Sequence, residues 1–289
     1  MMNEKFIAIK KTKIRNSKFI LGDTISELEK IDSSSIDMAF CDPPYYLQLS
    51  KKLFRPDQSV VSGVDDNWDK FSSYEEYDNF SKKWLLHIKR VLKSDATVWI
   101  IGTYHNIYRI GYLLQNMNFW ILNDLIWRKT NPMPNFKGTR FTNAHETLIW
   151  AANSKFSKYT FNYQTMKQLN DNKQMRSDDW LINICSGKER LKDAKNQKLH
   201  NTQKPEELLL RVILSSTKPG DIVLDPFFGT GTTGVVCKKL GRKFIGIEKN
   251  SDYIKEAKKR ILKVKKIKST EIKLLNKKIS KKVNIGNIL

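Results

Sequence analysis

The stretch that most restricts the fold of this 289-residue chain lies late. Residues 222–224 are apolar, 225–233 read Asp225-Pro226-Phe227-Phe228-Gly229-Thr230-Gly231-Thr232-Thr233, and helical spacing follows through 240. A strand that hands over to a helix through glycines belongs to an open α/β sheet, where a tight turn at the strand's carboxyl end lets a ligand approach the backbone. Gly229, Gly231 and Gly234 match the spacing of a dinucleotide fingerprint, and no Lys follows them as it would in a phosphate-binding loop. Asp225 is placed to catch an amino group and Phe227 to pack on an adenine, with Thr232 in the same turn. Glu248 closes the next strand, where an acidic residue can take a pair of ribose hydroxyls. A nucleoside cofactor is implied; the spacing alone leaves its kind open.

A counterpart stands early. The mostly apolar run 36–41 stops at Asp42-Pro43-Pro44-Tyr45. Tandem proline can neither donate ladder hydrogen bonds nor continue a helix, so Asp42 is held at a strand's carboxyl end. A base amine is a poor nucleophile because its lone pair is delocalised into the ring. Two acceptors, the Asp42 carboxylate and the Pro43 carbonyl, could each take one N–H and draw the nitrogen toward tetrahedral geometry. Tyr45 then offers a face for an extruded base. Alone, these four residues read as a surface turn almost as readily. Paired with the glycine turn they point to a methyl donor, S-adenosylmethionine, as the nucleoside cofactor. Asp23 also follows a strand-like run and suits either an adenine amino group or a helix N-cap. Thr202 and Lys204, with His200, precede a helix start, a place suited to a cofactor carboxylate.

Elsewhere, apolar runs at 19–21, 96–101, 119–127, 147–152 and 243–248 alternate with helical spacing at 24–30, 74–92, 107–117, 205–217 and 253–264. This alternation predicts an α/β, doubly wound, mostly parallel sheet. Residues 1–264 form the expected catalytic domain, with 46–71 as a lid loop and 155–200 as a polar insertion suited to recognition; 265–289 is a Lys-rich tail.

Lys plus Arg number 52 against 30 Asp plus Glu, a formal charge of +22. That balance favours a polyanionic partner over a coding bias that merely decorates the surface. Three cysteines without CxxC spacing suggest neither a disulfide framework nor a metal site. No run approaches the ~18 apolar residues of a membrane span, and a cytoplasmic protein is expected.

With Asp-Pro-Pro-Tyr early and Phe-x-Gly-x-Gly late, the chain resembles the amino DNA methyltransferases of the permuted β class, which use S-adenosylmethionine. Around 131–151, 174–180, 200–206 and 225–234 it resembles specifically the cell-cycle-regulated adenine methyltransferases that modify GANTC. The resemblance implies a circularly permuted, Rossmann-like methyltransferase fold and adenine-N6 methylation of double-stranded DNA in the nucleoid. It makes Asp42, Pro43, Pro44 and Tyr45 the catalytic pocket, and Asp23, Thr202, Lys204, Asp225, Phe227, Gly229, Gly231, Thr232 and Glu248 the cofactor site. Tyr46, Arg140, Asn143 and His145 are the candidates for DNA contact, and a homodimer is carried as an expectation. Cytosine-N4 methylation poses the same chemical problem, but cytosine enzymes of this kind more often carry Ser at the position of Asp42. From another class, the chain could be a DNA-binding module that keeps the fold without the reaction; the intact Asp42 and glycine turn argue against it. The family usually has proline where Asn201 follows His200.

Overall fold

The computed structural model describes residues 17–47, 53–54, 60–61, 69–135, 138–170, 179–192, 199 and 202–267. Strand β1 (Lys18–Leu21) leads into α1 (Thr24–Glu29), and β2 (Ile36–Cys41) ends at the tandem proline. A separate antiparallel pair follows, β3 (Leu53–Phe54) with β4 (Val60–Val61), inside the segment read as a lid loop. Next come α2 (Tyr74–Val91), β5 (Leu92–Gly102), α3 (Ile107–Asn116), β6 (Trp120–Lys129) and β7 (His145–Ala152). The chain continues through α4 (Tyr163–Gln168), β8 (Trp180–Ile182), α5 (Glu206–Ser216), β9 (Ile222–Asp225), α6 (Thr232–Leu240), β10 (Lys243–Glu248) and α7 (Ser251–Leu262).

Eight strands form one sheet in the order β1-β10-β9-β2-β5-β7-β6-β8. Every neighbouring pair is parallel except the two that involve β7, which runs against both β5 and β6. Period-2 alternation splits the strand side chains between two cores. Phe40, Trp99 and Ile101 pack with α5, α6 and α7 on one face. Ala39, Cys41, Val98 and Ile100 pack with α1, α2 and α3 on the other. Both faces are covered, so the sheet is doubly wound, as the alternation of runs predicts.

The sheet is mostly parallel, as the sequence predicts, and β7 is its reversed strand. One reading from sequence changes. The polar stretch 155–200 is not wholly an excursion from the fold: Met166 of α4 and Trp180 of β8 are each about 2–3% exposed and belong to the core, β8 extending the sheet at its edge.

The position of the site follows from the winding. The chain leaves β2 toward α2 on one face of the sheet and leaves β9 toward α6 on the other, while β2 and β9 lie side by side with Met38 opposite Val223 and Ala39 opposite Leu224. A crevice must open at the carboxyl ends of such a pair, since the two connections diverge. Asp42 and Asp225 stand on its two sides.

Candidate active site

The crevice measures about 610 Å³ and is lined by both sequence motifs, with Asp42 and Tyr45 from the first and Asp225, Phe227 and Gly229 from the second. Its volume falls within the roughly 300–1,000 Å³ of small-molecule sites.

In the glycine half, Asp225 is 3% exposed; its Oδ1 accepts the Phe227 N–H at 3.0 Å and its Oδ2 accepts the Thr233 hydroxyl at 2.5 Å. Burial pushes its carboxyl up to about 7, against those two hydrogen bonds. Glu248 faces the crevice with Oε2 accepting the Gly229 N–H at 2.8 Å and Oε1 accepting the Asn250 N–H at 2.8 Å. Each oxygen keeps a further lone pair, so acceptor capacity remains for a ligand. Phe227 packs edge-on against Trp84 at 5.4 Å and borders the crevice. Asp23 caps α1 through the N–H groups of Ile25 and Ser26, at 3.0 and 3.3 Å, and lines the crevice as well, so both roles considered for it remain compatible. Thr202 and Thr232 line it too, and Thr232 donates its hydroxyl to the Lys204 carbonyl at 3.2 Å.

Gly231 is placed differently from the sequence expectation. It has φ 78°, and a Cβ there would meet Ala257 Cβ at 2.8 Å and Phe228 Cε1 at 3.0 Å. Its missing side chain makes room for α7 and Phe228, whereas Gly229 borders the crevice.

In the proline half, Asp42 Oδ2 pairs with Lys204 Nζ at 2.7 Å, and the Tyr45 hydroxyl lies 2.9 Å from Asp42 Oδ1 and 3.0 Å from Glu146 Oε2. Lys204 Nζ is 3.9 Å from Glu146 Oε2, and Lys129 Nζ is 2.8 Å from Glu146 Oε1. Two carboxylates and two ammonium groups thus form one buried cluster, each side chain between 8 and 17% exposed. Burial raises the Asp42 carboxyl from its ordinary value, against the pull of Lys204. Burial would raise Glu146 too, but the ammonium groups of Lys204 and Lys129 outweigh it and hold Glu146 below its usual value. Lys204 is raised, its two carboxylates overcoming burial. Lys204, expected from the sequence at a cofactor carboxylate, therefore meets Asp42. The Pro44 carbonyl accepts the Tyr77 hydroxyl at 2.9 Å, leaving the Pro43 carbonyl without a partner among the described residues.

Sequence reasoning missed three contributors. Glu146 and Lys129 are charged residues at the ends of apolar strands, which is their only trace in the sequence. Asp69 closes the segment read as a lid, 6% exposed, and its carboxylate accepts three successive backbone N–H groups, of Tyr45, Tyr46 and Leu47, at 2.6, 2.7 and 2.9 Å. That clasp fixes the turn after the tandem proline and holds Tyr46 at φ 55°.

Of the candidates for DNA contact, Tyr46 packs within an aromatic group, 5.2 Å from Tyr74 and 6.0 Å from Tyr77 between ring centroids. Arg140 is exposed and donates to the Tyr104 hydroxyl. Asn143 and His145 are exposed, His145 at the start of β7. His200 lies outside the described residues, as does most of the Lys-rich tail.

Comparison with known proteins follows the same lines. A model of the N6/N4 DNA methylase family matches residues 36–259. The chain belongs to this family. It is 58% identical over 244 residues to the Type II methyltransferase M.HinfI of Haemophilus influenzae, covering 84% of this chain and 68% of that one. It is 47% identical over 248 residues to the Type II methyltransferase M2.DpnII of Streptococcus pneumoniae, covering 85% and 90%. Among solved structures, the M1.HpyAVI–SAM complex is 26% identical with a TM-score of 0.61, covering 84% of this chain and 98% of that one. The cytosine-N4-specific PvuII DNA methyltransferase shares the fold at 19% identity with a TM-score of 0.64, covering 92% and 93%.

This DNA methylase uses S-adenosylmethionine, and the crevice fits that cofactor on its own chemistry. It has the volume for a nucleoside, an apolar wall at Phe227, and two carboxylates, Asp225 and Glu248, already oriented by backbone N–H groups. Among the described residues no helix is long and apolar enough to cross a membrane.

Proposed function

We propose that this DNA methylase modifies adenine at N6 within GANTC in duplex DNA, acting on a base turned out of the helix. The observation that carries the reading is the Asp42-Pro43-Pro44-Tyr45 turn at the end of β2, facing Asp225 across the seam between β2 and β9. S-adenosylmethionine supplies an electrophilic methyl group. Asp42 and the Pro43 carbonyl accept the two hydrogens of the target amine, localising its lone pair on nitrogen. A charged acceptor in a water-poor site makes that bond stronger than a neutral one. The ring of Tyr45 stacks on the extruded base, an interaction worth ~1–3 kcal/mol. Asp225, Phe227 and Glu248 hold the nucleoside end of the cofactor, with Asp23, Thr202 and Thr232 at its margins. An aspartate at 42 supports adenine over cytosine, and the blocks at 131–151 and 200–206 support GANTC. The late position of the glycine turn supports a circularly permuted motif order. Tyr46, Arg140, Asn143 and His145 are proposed to lie along the DNA path, in a cytoplasmic, nucleoid-associated enzyme.

The test is to express the chain in cells lacking adenine methylation and to read modified bases on plasmid DNA by sequencing. N6-methyladenine in GANTC is expected. N4-methylcytosine would overturn the base assignment, and N6-methyladenine in another context would overturn the recognition sequence alone.

A further inference from the structure

Glu146 has no part in the cofactor crevice, yet it is 8% exposed, charged and bonded to the groups that surround Asp42. Burying a second carboxylate is unfavourable unless the site gains from it, and the hydrogen count around Tyr45 indicates what is gained. A phenol has one hydrogen to donate. The Tyr45 hydroxyl nevertheless lies 2.9 Å from Asp42 Oδ1 and 3.0 Å from Glu146 Oε2, so the two carboxylates compete for it. They compete for Lys204 in the same way, at 2.7 and 3.9 Å. Whatever Glu146 takes from Tyr45 and Lys204 is not spent on Asp42. Lys129, at 2.8 Å, keeps Glu146 ionised and able to compete.

We propose that Glu146 is a positioning residue for methyl transfer, drawing the Tyr45 hydroxyl and part of the Lys204 charge away from Asp42 so that Asp42 Oδ1 stays free for the target amine. The inference rests on the reading of Asp42 given above. In the transfer the amine nitrogen forms the bond to the methyl carbon, the carbon–sulfur bond breaks with its electron pair left on sulfur, and the nitrogen sheds one proton. Asp42 is the nearest base, and its capacity to take that proton depends on how little of its charge Lys204 and Tyr45 have already consumed. The charged and titratable groups facing the pair are Tyr45 after β2, Lys129 of β6 and Lys204 before α5, with Cys41, Arg190 and Asp225 further off. Replacing Glu146 by a neutral group leaves Lys204 and Tyr45 wholly to Asp42. This weakens Asp42 as a base and moves the acid limb of the pH–rate profile to lower pH.

The experiment measures kcat and KM across pH with the tritiated methyl donor and a GANTC-containing duplex, for the wild type, Glu146→Gln, Glu146→Asp and Asp42→Asn. Glu146→Gln is expected to lower kcat on the order of 10²-fold, shift the acid limb down and leave KM for the methyl donor unchanged, with Glu146→Asp restoring the limb toward its wild-type position. A folded Glu146→Gln enzyme with wild-type kcat, or with reduced kcat and an unmoved acid limb, would overturn the role. If Glu146→Gln does not fold, Lys129→Gln serves instead: it removes the cation that keeps Glu146 ionised and is expected to move the limb to lower pH, as Glu146→Gln would, an unmoved limb again counting against the role. Asp42→Asn should be inactive. If it keeps the wild-type rate, the assignment of Asp42 fails, whereas an inactive Asp42→Asn beside a wild-type-like Glu146→Gln removes only Glu146.

Discussion

Asp225 shows how a single carboxyl in this crevice couples stability to pH. It is buried, and its only compensation among the described residues is two hydrogen bonds, from the Phe227 N–H and the Thr233 hydroxyl. Its carboxyl is raised from 3.8 to about 7, so the folded state binds the proton more tightly than the unfolded chain. The stability it contributes is therefore fully present below pH 3.8 and is lost as pH rises through about 7. Asp225→Asn cannot titrate. Its melting temperature is expected to fall less than that of the wild type between pH 4 and 7, measured by circular dichroism, because the other titrating groups are common to both proteins. Parallel melting curves would show that Asp225 is ionised throughout. A hydrogen-bond donor brought to Asp225 in the crevice would offset the cost of ionising it.

At the scale of elements, the turn before α6 divides its glycines by task. Gly231 sits at φ 78° with no space for a Cβ against Ala257 and Phe228, and a Cβ at Gly234 would come within 2.5 Å of Ile261 Cδ1. Gly231→Ala is expected to destabilise the protein by ~1–3 kcal/mol, read as a lower urea midpoint, while folded protein keeps wild-type affinity for the methyl donor by calorimetry. A large loss of affinity at unchanged stability would return Gly231 to the ligand side. The regular spacing of these glycines was legible in sequence, but their division was not, because it is set by α7, a helix about twenty residues further on that fills the gap from outside the motif. The strand runs were legible for the same reason that they form: apolar residues at period 2 have to be covered on both faces. Direction was not legible. An apolar run such as 147–152 reads identically whichever way it points, and only its reversal between β5 and β6 carries Glu146 to the carboxyl ends of the parallel strands, opposite Asp42. In a uniformly parallel sheet, the start of that strand would lie at the far edge. Asp42 and the glycine turn carry local signatures, whereas Glu146, Lys129 and Asp69 act through partners distant in sequence.

For the whole molecule, the excess of 22 positive charges has a measurable consequence for DNA. If the enzyme neutralises ~6–10 phosphates, affinity for a duplex should fall roughly 10³–10⁵-fold between 50 and 200 mM salt, measured by fluorescence anisotropy. A flat response would leave the charge as surface composition without a role in binding. The arrangement of the buried charge cluster has a different consequence. Its four members come from the turn after β2, from β6, from β7 and from the segment before α5, so Asp42, Lys129, Glu146 and Lys204 meet only when distant parts of the chain have closed into one sheet. Loop-closure entropy opposes contacts of such sequence separation until the sheet rewards them. An amino-terminal fragment that ends before Lys204 would carry Asp42 without that counter-charge and without the glycine turn across the crevice. The site is thereby a property of the closed sheet and of no shorter piece of it.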